Sequence, residues 1–212
     1  KNMNKLKIKK EKIINVEDNE VRELYFYQDD DYSYVFRLGK NSSLVVYHYI
    51  FDASTSVLIE LDGEDSEVSY HSSVLSRDDN KFTLHVNHNA SNTISNVYNH
   101  GVNRNSNKLD FDICGKVLNT SRNCVCNQEN QIINISDGHS TILPKLLIDQ
   151  YEVTSSHSAY IGKFSDDILF YFMSRGISKK IAYELLIRAL LINQGSLDAI
   201  EVKKMIEKIE MI

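Results

Sequence analysis

The hydrophobic positions of this chain change their period once, near residue 160. Before that point apolar and polar residues alternate in short runs, as in Val57-Leu58-Ile59-Glu60-Leu61 and Phe82-Thr83-Leu84-His85-Val86. A period of two is the mark of a strand with one buried face. Runs rich in Val, Ile, Tyr and Thr predict strands over Tyr34–Leu38, Leu44–Phe51, Val57–Leu61, Glu67–Leu75, Phe82–Val86, Thr93–Tyr98, Leu109–Val117 and Gln131–Ile135. Polar clusters such as Asp62-Gly63-Glu64-Asp65 and Arg77-Asp78-Asp79-Asn80 separate them. A strand-like segment follows Pro144, the single proline, which is placed at a strand start where its missing N–H is tolerated. It leads to His157 and to a turn of small residues ending at Gly162.

Beyond residue 160 the spacing becomes helical. Ser165 is a good N-cap, Asp166 and Asp167 suit the positive end of a helix dipole, and Arg175-Gly176 is a stop. Ser178 caps a second helix with an apolar stripe of Ile181, Ala182, Leu185, Leu186, Ala189 and Leu190, ended by Gly195. A third places Val202, Met205, Ile206 and Ile209 on one face. The organisation predicted is a β domain over residues 1–160 and a C-terminal helical segment of two to three helices over 161–212. No Gly/Pro/Ser linker separates the two parts.

Periodicity leaves the type of β fold open, because sandwiches, barrels and solenoids all give short strands at this spacing. Two features favour a solenoid. Asparagine is abundant between Asn87 and Asn134, and it tolerates the left-handed backbone of tight corners. Two-residue hairpin turns are scarce, with Asp62-Gly63 and Asp137-Gly138 the cases present. No strict repeat is visible.

Composition narrows the function. The 212 residues are 42% hydrophobic and 25% charged, with a net charge of -5. An acidic chain gains nothing from a phosphate backbone, so nucleic acid is not an expected partner. The lysines at 5, 7, 9, 10 and 12 alternate with Leu6 and Ile8 and read as the wet face of a first strand. No run approaches the roughly 20 apolar residues that cross a bilayer, and the first residues lack the apolar stretch of a secretion signal. Three cysteines do not make a disulfide framework, so a cytoplasmic location is expected.

Chemistry-bearing residues are few. His157 is of a type that ligates iron or moves protons near neutral pH, or else completes a buried polar network. Cys124 and Cys126 sit two apart, on one side of a strand, and Cys114 precedes them by ten residues. These thiols could join a soft-metal site or could simply pack as small apolar side chains. Carboxylate pairs such as Glu64-Asp65 lie in loops. There is no P-loop, dinucleotide fingerprint or nucleophile elbow, so any ATP use needs another chain.

One stretch carries a family signature. In PKLLIDQYEVTSSHSAYIGKFSDDILFYFMSRG, the positions Pro144, Leu146, Val153, Ser156, His157, Ala159, Gly162, Asp167, Phe170, Tyr171, Ser174, Arg175 and Gly176 match a Pro-x-Leu strand, a Val-x-x-Ser-His step, a Gly, a Phe-Tyr pair and Ser-Arg-Gly. This resembles the SufB/SufD proteins of the SUF iron–sulfur cluster assembly system. The resemblance covers roughly residues 80–190, and Asn87–Ser95 adds a match at His88, Thr93 and Ser95 that looks structural in the family.

The resemblance implies a right-handed parallel β-helix followed by C-terminal helices. It implies a non-enzymatic scaffold subunit that pairs with a SufB-like chain or with itself as a dimer. It also implies docking of a SufC-like ABC-type ATPase on the C-terminal helices, with Phe170, Tyr171 and Arg175 as candidate contacts. A transient iron–sulfur cluster would form at the subunit interface near His157, with no cofactor tightly bound. SufB-type members carry a cysteine shortly before the Pro strand, whereas this chain has Ser136-Asp137-Gly138-His139-Ser140. The chain therefore looks more like SufD, with His139, Cys114, Cys124 and Cys126 as further candidate metal ligands. Ser158 replaces the usual Gly or Glu after the histidine. The alternative reading is a metal-dependent β-solenoid or cupin-like enzyme using His85, His88 or the cysteines.

Overall fold

Alternating apolar residues wind this chain into a coil rather than a hairpin stack. A computed structural model describes residues 10–192 and 199–210. Twelve strands, β1 to β12, run Lys10–Val16, Val21–Gln28, Tyr32–Leu38, Ser43–Phe51, Thr55–Leu61, Glu67–Ser76, Asn80–His88, Ile94–Asn103, Lys108–Val117, Cys124–Asn134, His139–Ile148 and Val153–Gly162. Odd strands form one six-stranded sheet in chain order, and even strands form the other. Every pairing between coils is parallel. Each turn of the chain thus lays one strand on each sheet, which is a parallel β-helix.

The lumen is the core. Phe36, Tyr70, Phe82 and Phe111 are fully buried there among Leu, Ile and Val side chains from both sheets. Asparagine serves it in two ways. Asn19, Asn41, Asp65, Asn92 and Asn123 occupy the same corner in successive coils, all with positive φ between 53 and 61. The backbone N–H of each of the first four donates to a carbonyl of the next coil. Inside, Asn99 accepts from Ser72 and donates to Asn130, so these three side chains satisfy one another along the stack.

Three helices follow: α1 (Asp166–Ser174), α2 (Lys179–Ile192) and α3 (Ala199–Glu210). Ser165 caps α1 by accepting from the Asp167 N–H, and Gly176 takes φ 80 after its end. Helices α2 and α3 bury Ile187, Leu191 and Ile209 against Tyr49, Phe51, Leu75 and Val102 on the outer face of the even sheet.

Several expectations shift. The segment β2 is an additional strand, and β10 begins at Cys124 rather than Gln131. Residues 153–162 are one strand throughout, so the small-residue turn expected between His157 and Gly162 is its second half. Pro144 lies in the middle of β11, not at its start; β11 is an edge strand, the place in a sheet where proline is tolerated. The buried face of α2 is Ala182, Ile187 and Leu191, while Ile181 and Leu185 are exposed. Lys5, Lys7, Lys9, Leu6, Ile8 and Gly195 lie outside the described residues, as do the side chains of Val202 and Met205. Lys10 and Lys12 share the register of Tyr32 and Tyr34 and hold their ammonium groups over those rings.

Candidate functional site at the open end of the solenoid

Among the described residues the last coil has no successor. Strands β11 and β12 are the final strands of their sheets, and each leaves one edge unpaired at the same end of the molecule. Nearly all of β12 is exposed, because no later strand covers it. His157 sits at its centre. The register puts His157 in the inward column Leu24, Val46, Tyr70, Val97, Gln128, His157, one residue per coil. The histidine therefore crowns a buried column and is itself exposed.

The residue beneath it is fixed. Gln128 is 5% exposed, and its Nε2 donates to the Lys145 carbonyl of β11 at 3.1 Å. Beside it, Asn130 donates to the Ser158 carbonyl at 3.0 Å. At the same strands a groove of about 300 Å³ is lined by residues 96–98, 127–129 and 156–158, His157 among them. Asn127 donates to Asn96, and Ser156 donates to Asn127 at 2.8 Å, so a ladder of amides and hydroxyls reaches the open edge. Next to it the rings of Tyr25, Tyr47, His71 and Tyr98 stack at 4.8–5.1 Å, and that row continues in register to Glu129 and Ser158.

The cysteines do not converge. Cys124 and Cys126 face inward and pack with Val117, Leu146, Ile148 and Val153. Burial pushes the Cys126 thiol above its ordinary range. Cys114 belongs to the outward-facing set of β9, in register with His85 and Lys145. Burial raises its thiol too, partly offset by the Lys145 ammonium. Lys145 pairs with Asp112 at 2.5 Å, and the lysine charges beside Asp112 hold that carboxyl below its usual range despite partial burial. His139 opens β11 on the exposed side, paired in register with Lys108. Among the described residues no group of three or more His, Cys, Asp and Glu could hold a metal ion.

His88 and His48 lie inside buried hydrogen-bond networks. His88 is fully buried between the Thr93 hydroxyl at 2.7 Å and the Ser95 hydroxyl at 2.8 Å, and desolvation takes its pKa down to about 4. His48 is held by Tyr70 at 2.6 Å and Gln28 at 2.9 Å, and burial takes it to about 3. His85 faces outward and His88 inward, so they form no joint site.

The helical segment offers the other conspicuous surface. Leu169 is the buried residue of α1, whereas Phe170 is 70% and Tyr171 57% exposed. The Arg175 guanidinium lies over the Tyr171 ring, 5.2 Å from its centroid. These side chains are not packed onto the β body. The groove and Gln128 had no signal in the sequence, because only the coil-to-coil register brings residues some 30 positions apart into one row.

Comparison with known proteins agrees with this architecture. The family described as SUF system FeS cluster assembly, SufBD core domain, matches residues 35–190. The iron–sulfur cluster assembly protein SufD of Bacillus subtilis (strain 168) is 30% identical over 118 residues, which span 54% of this chain and 27% of that relative. The match starts well before the region that carries the signature, and it takes in the inward column from Val46 to His157, α1 and most of α2. With a parallel β-helix, a C-terminal helical segment and this match over most of its length, the chain belongs to the SufB/SufD family of the SUF iron–sulfur cluster assembly system.

Proposed function

We propose that this chain is a SufD-like, non-catalytic subunit of a SUF-type scaffold, which pairs with a like subunit through the open end of its β-helix and docks an ABC-type ATPase through α1 and α2. The observation that carries this reading is the difference between the two ends of the solenoid. At the first coil, Lys10 and Lys12 sit over tyrosine rings. Inward-directed charge of this kind blunts a sheet edge against pairing. The last coil has no such guard. It presents two bare strand edges, the exposed side chains of Tyr160 and Ile161, and His157 at the centre. A partner strand there would cover the column that His157 crowns. The nascent cluster is cargo at that junction, and an imidazole is a suitable iron ligand.

The helical segment supports the second half. Phe170, Tyr171 and Arg175 combine an apolar anchor, a ring and a cation on one exposed helix, a set enriched at interface hot spots. The scaffold reading places ATP turnover in a separate chain.

The test is co-expression with a SufB-like chain and a SufC-like ATPase. His157→Ala should leave the complex intact and lower the cluster absorbance it acquires. Phe170→Asp with Tyr171→Asp should release the ATPase while the paired scaffold persists. Cluster formation unaffected by His157→Ala, together with ATPase retention by the helix variant, would overturn the reading.

A further inference from the structure

We infer that Gln128 is a positioning residue for His157: its buried side-chain carbonyl, unpartnered in this structure, is the acceptor for a ring N–H of that histidine once the imidazole turns toward the column, and holds it in one tautomer. The consequence for cluster assembly rests on the function proposed above; the tautomer itself rests on strand register and on the unpartnered carbonyl.

The amide cannot be the other way round. Gln128 Nε2 lies 3.1 Å from the Lys145 carbonyl oxygen, and a flipped amide would set two carbonyls against each other. Oε1 is thereby left pointing elsewhere, and it is buried without a hydrogen-bond partner. Buried carbonyls without a donor are disfavoured, so a donor close by is expected. The column leaves one. On the β8 side the neighbour in register is Val97, which has no polar atom. On the β12 side it is His157. Parallel neighbours on one face stand close enough for their side chains to meet.

Of the other side chains on that face, the Ser155 hydroxyl is set off diagonally, in register with Cys126, and the neighbours on β10 itself are engaged or weak. The Asn130 amide already donates to the Ser158 carbonyl and accepts from Asn99. The Cys126 thiol is a poor donor. Gln128 also has no freedom to turn away. A Cβ at Gly115, on the facing strand β9, would come within 3.2 Å of Gln128 Nε2, so the space on that side is already filled. An amide clamped at one end and unsatisfied at the other is a fixed acceptor beneath an exposed imidazole. Holding one ring nitrogen as N–H leaves the other bare and aimed out of the column, which is the arrangement a metal-facing histidine requires.

The experiment is nitrogen NMR of the full chain carrying ¹⁵N-histidine, at a pH about two units above the ordinary imidazole value near 6.5. His157 is assigned by its loss in His157→Ala. In the parent protein its two ring nitrogens should give the separated shifts of a single tautomer. In Gln128→Leu they should move toward the averaged positions of a freely exchanging imidazole, and Gln128→Glu, which keeps an acceptor, should restore the separation. Gln128→Met serves the same comparison if the leucine variant does not fold. Averaged shifts already present in the parent, or shifts unmoved by removal of the acceptor, would overturn the inference. Those results would leave the role of His157 in assembly standing, and an unaffected cluster yield in His157→Ala would leave the tautomer result standing.

Discussion

The hydroxyl of Ser73, on the outer face of β6, donates to the carbonyl of Leu191 in the last turn of α2 at 2.7 Å, joining residues 118 apart in the chain. Two further solenoid side chains meet the same helical ends. His100 Nδ1 lies 3.3 Å from the Leu190 carbonyl, and Arg104 reaches the Ile209 carbonyl at 3.4 Å. Final-turn carbonyls have no partner within their own helix, so these contacts complete the helices and fasten them to the β body at once. Ser73→Ala leaves a buried carbonyl without its donor, at a cost of about 1–2 kcal/mol. The expected readout is faster amide hydrogen exchange in α2 and α3, with exchange in the lumen-facing strands unchanged. Uniformly faster exchange across the whole chain would mean that the helices and the coil open as one unit.

Two buried histidines predict a loss of stability in mild acid. His48 has a folded pKa of about 3 and His88 of about 4, both driven down by desolvation. In the unfolded chain each titrates near 6.5. Below that value the unfolded state takes up protons that the folded state refuses, so stability falls with pH. The contribution is complete above about pH 6.5 and is lost progressively toward the folded values. At pH 5 each histidine should cost roughly 2 kcal/mol, and the pair roughly 4 kcal/mol, relative to pH 7. Urea midpoints at the two pH values measure this. A midpoint that does not move would show that the lumen admits a charged imidazole.

Most of the fold was legible because the lumen imposes a strict alternation. Where that constraint weakens, the sequence misleads. Partners in register are 22 residues apart between β1 and β3 (Lys10 with Tyr32) but 31 apart between β9 and β11 (Lys108 with His139). The coil lengthens along the chain, which hides any repeat. The second half of β12, after His157, reads as a turn because Ser158, Ala159 and Gly162 are small, as an edge strand can be. The apolar stripe of α2 was misplaced because Ile181 and Leu185 point to solvent, so spacing alone did not identify the face against the sheet. At the site, the family signature marked His157, while Gln128 lies 29 positions earlier and is joined to it only by strand register.

The corner asparagines predict an ordered mutational series. Asn92 has φ 60, and its backbone N–H donates to the Arg122 carbonyl at 2.8 Å. Its side-chain oxygen also accepts from Asn123 at 3.3 Å. A left-handed backbone costs an ordinary L-residue about 1–2 kcal/mol and costs glycine little. Asn92→Ala should therefore lower stability by about 1 kcal/mol, and Asn92→Gly by less, despite removing more side chain. Thermal or urea unfolding of the two variants checks the order. Alanine tolerated as well as glycine would show that the corner relaxes out of the left-handed region.

Gly115 and Cys126 should be coupled. A Cβ on Gly115 would stand 2.3 Å from Cys126 Sγ, far inside any real contact, so the sulfur must move. Cys126 is 1% exposed and packed by Val117, Leu146 and neighbouring side chains, which leaves it little room to do so. Overpacking of this kind costs about 1–3 kcal/mol. Gly115→Ala alone should fall in that range. Cys126→Ala alone should also destabilise, by removing the sulfur from a filled lumen. In the double variant the new methyl group occupies part of the space the sulfur vacates, so the two losses should sum to more than the double variant shows, by at least about 1 kcal/mol. Additive losses would mean that the strands β9 and β10 separate to accept the methyl group, and the tight approach at the lumen mouth would then not constrain the residues above it.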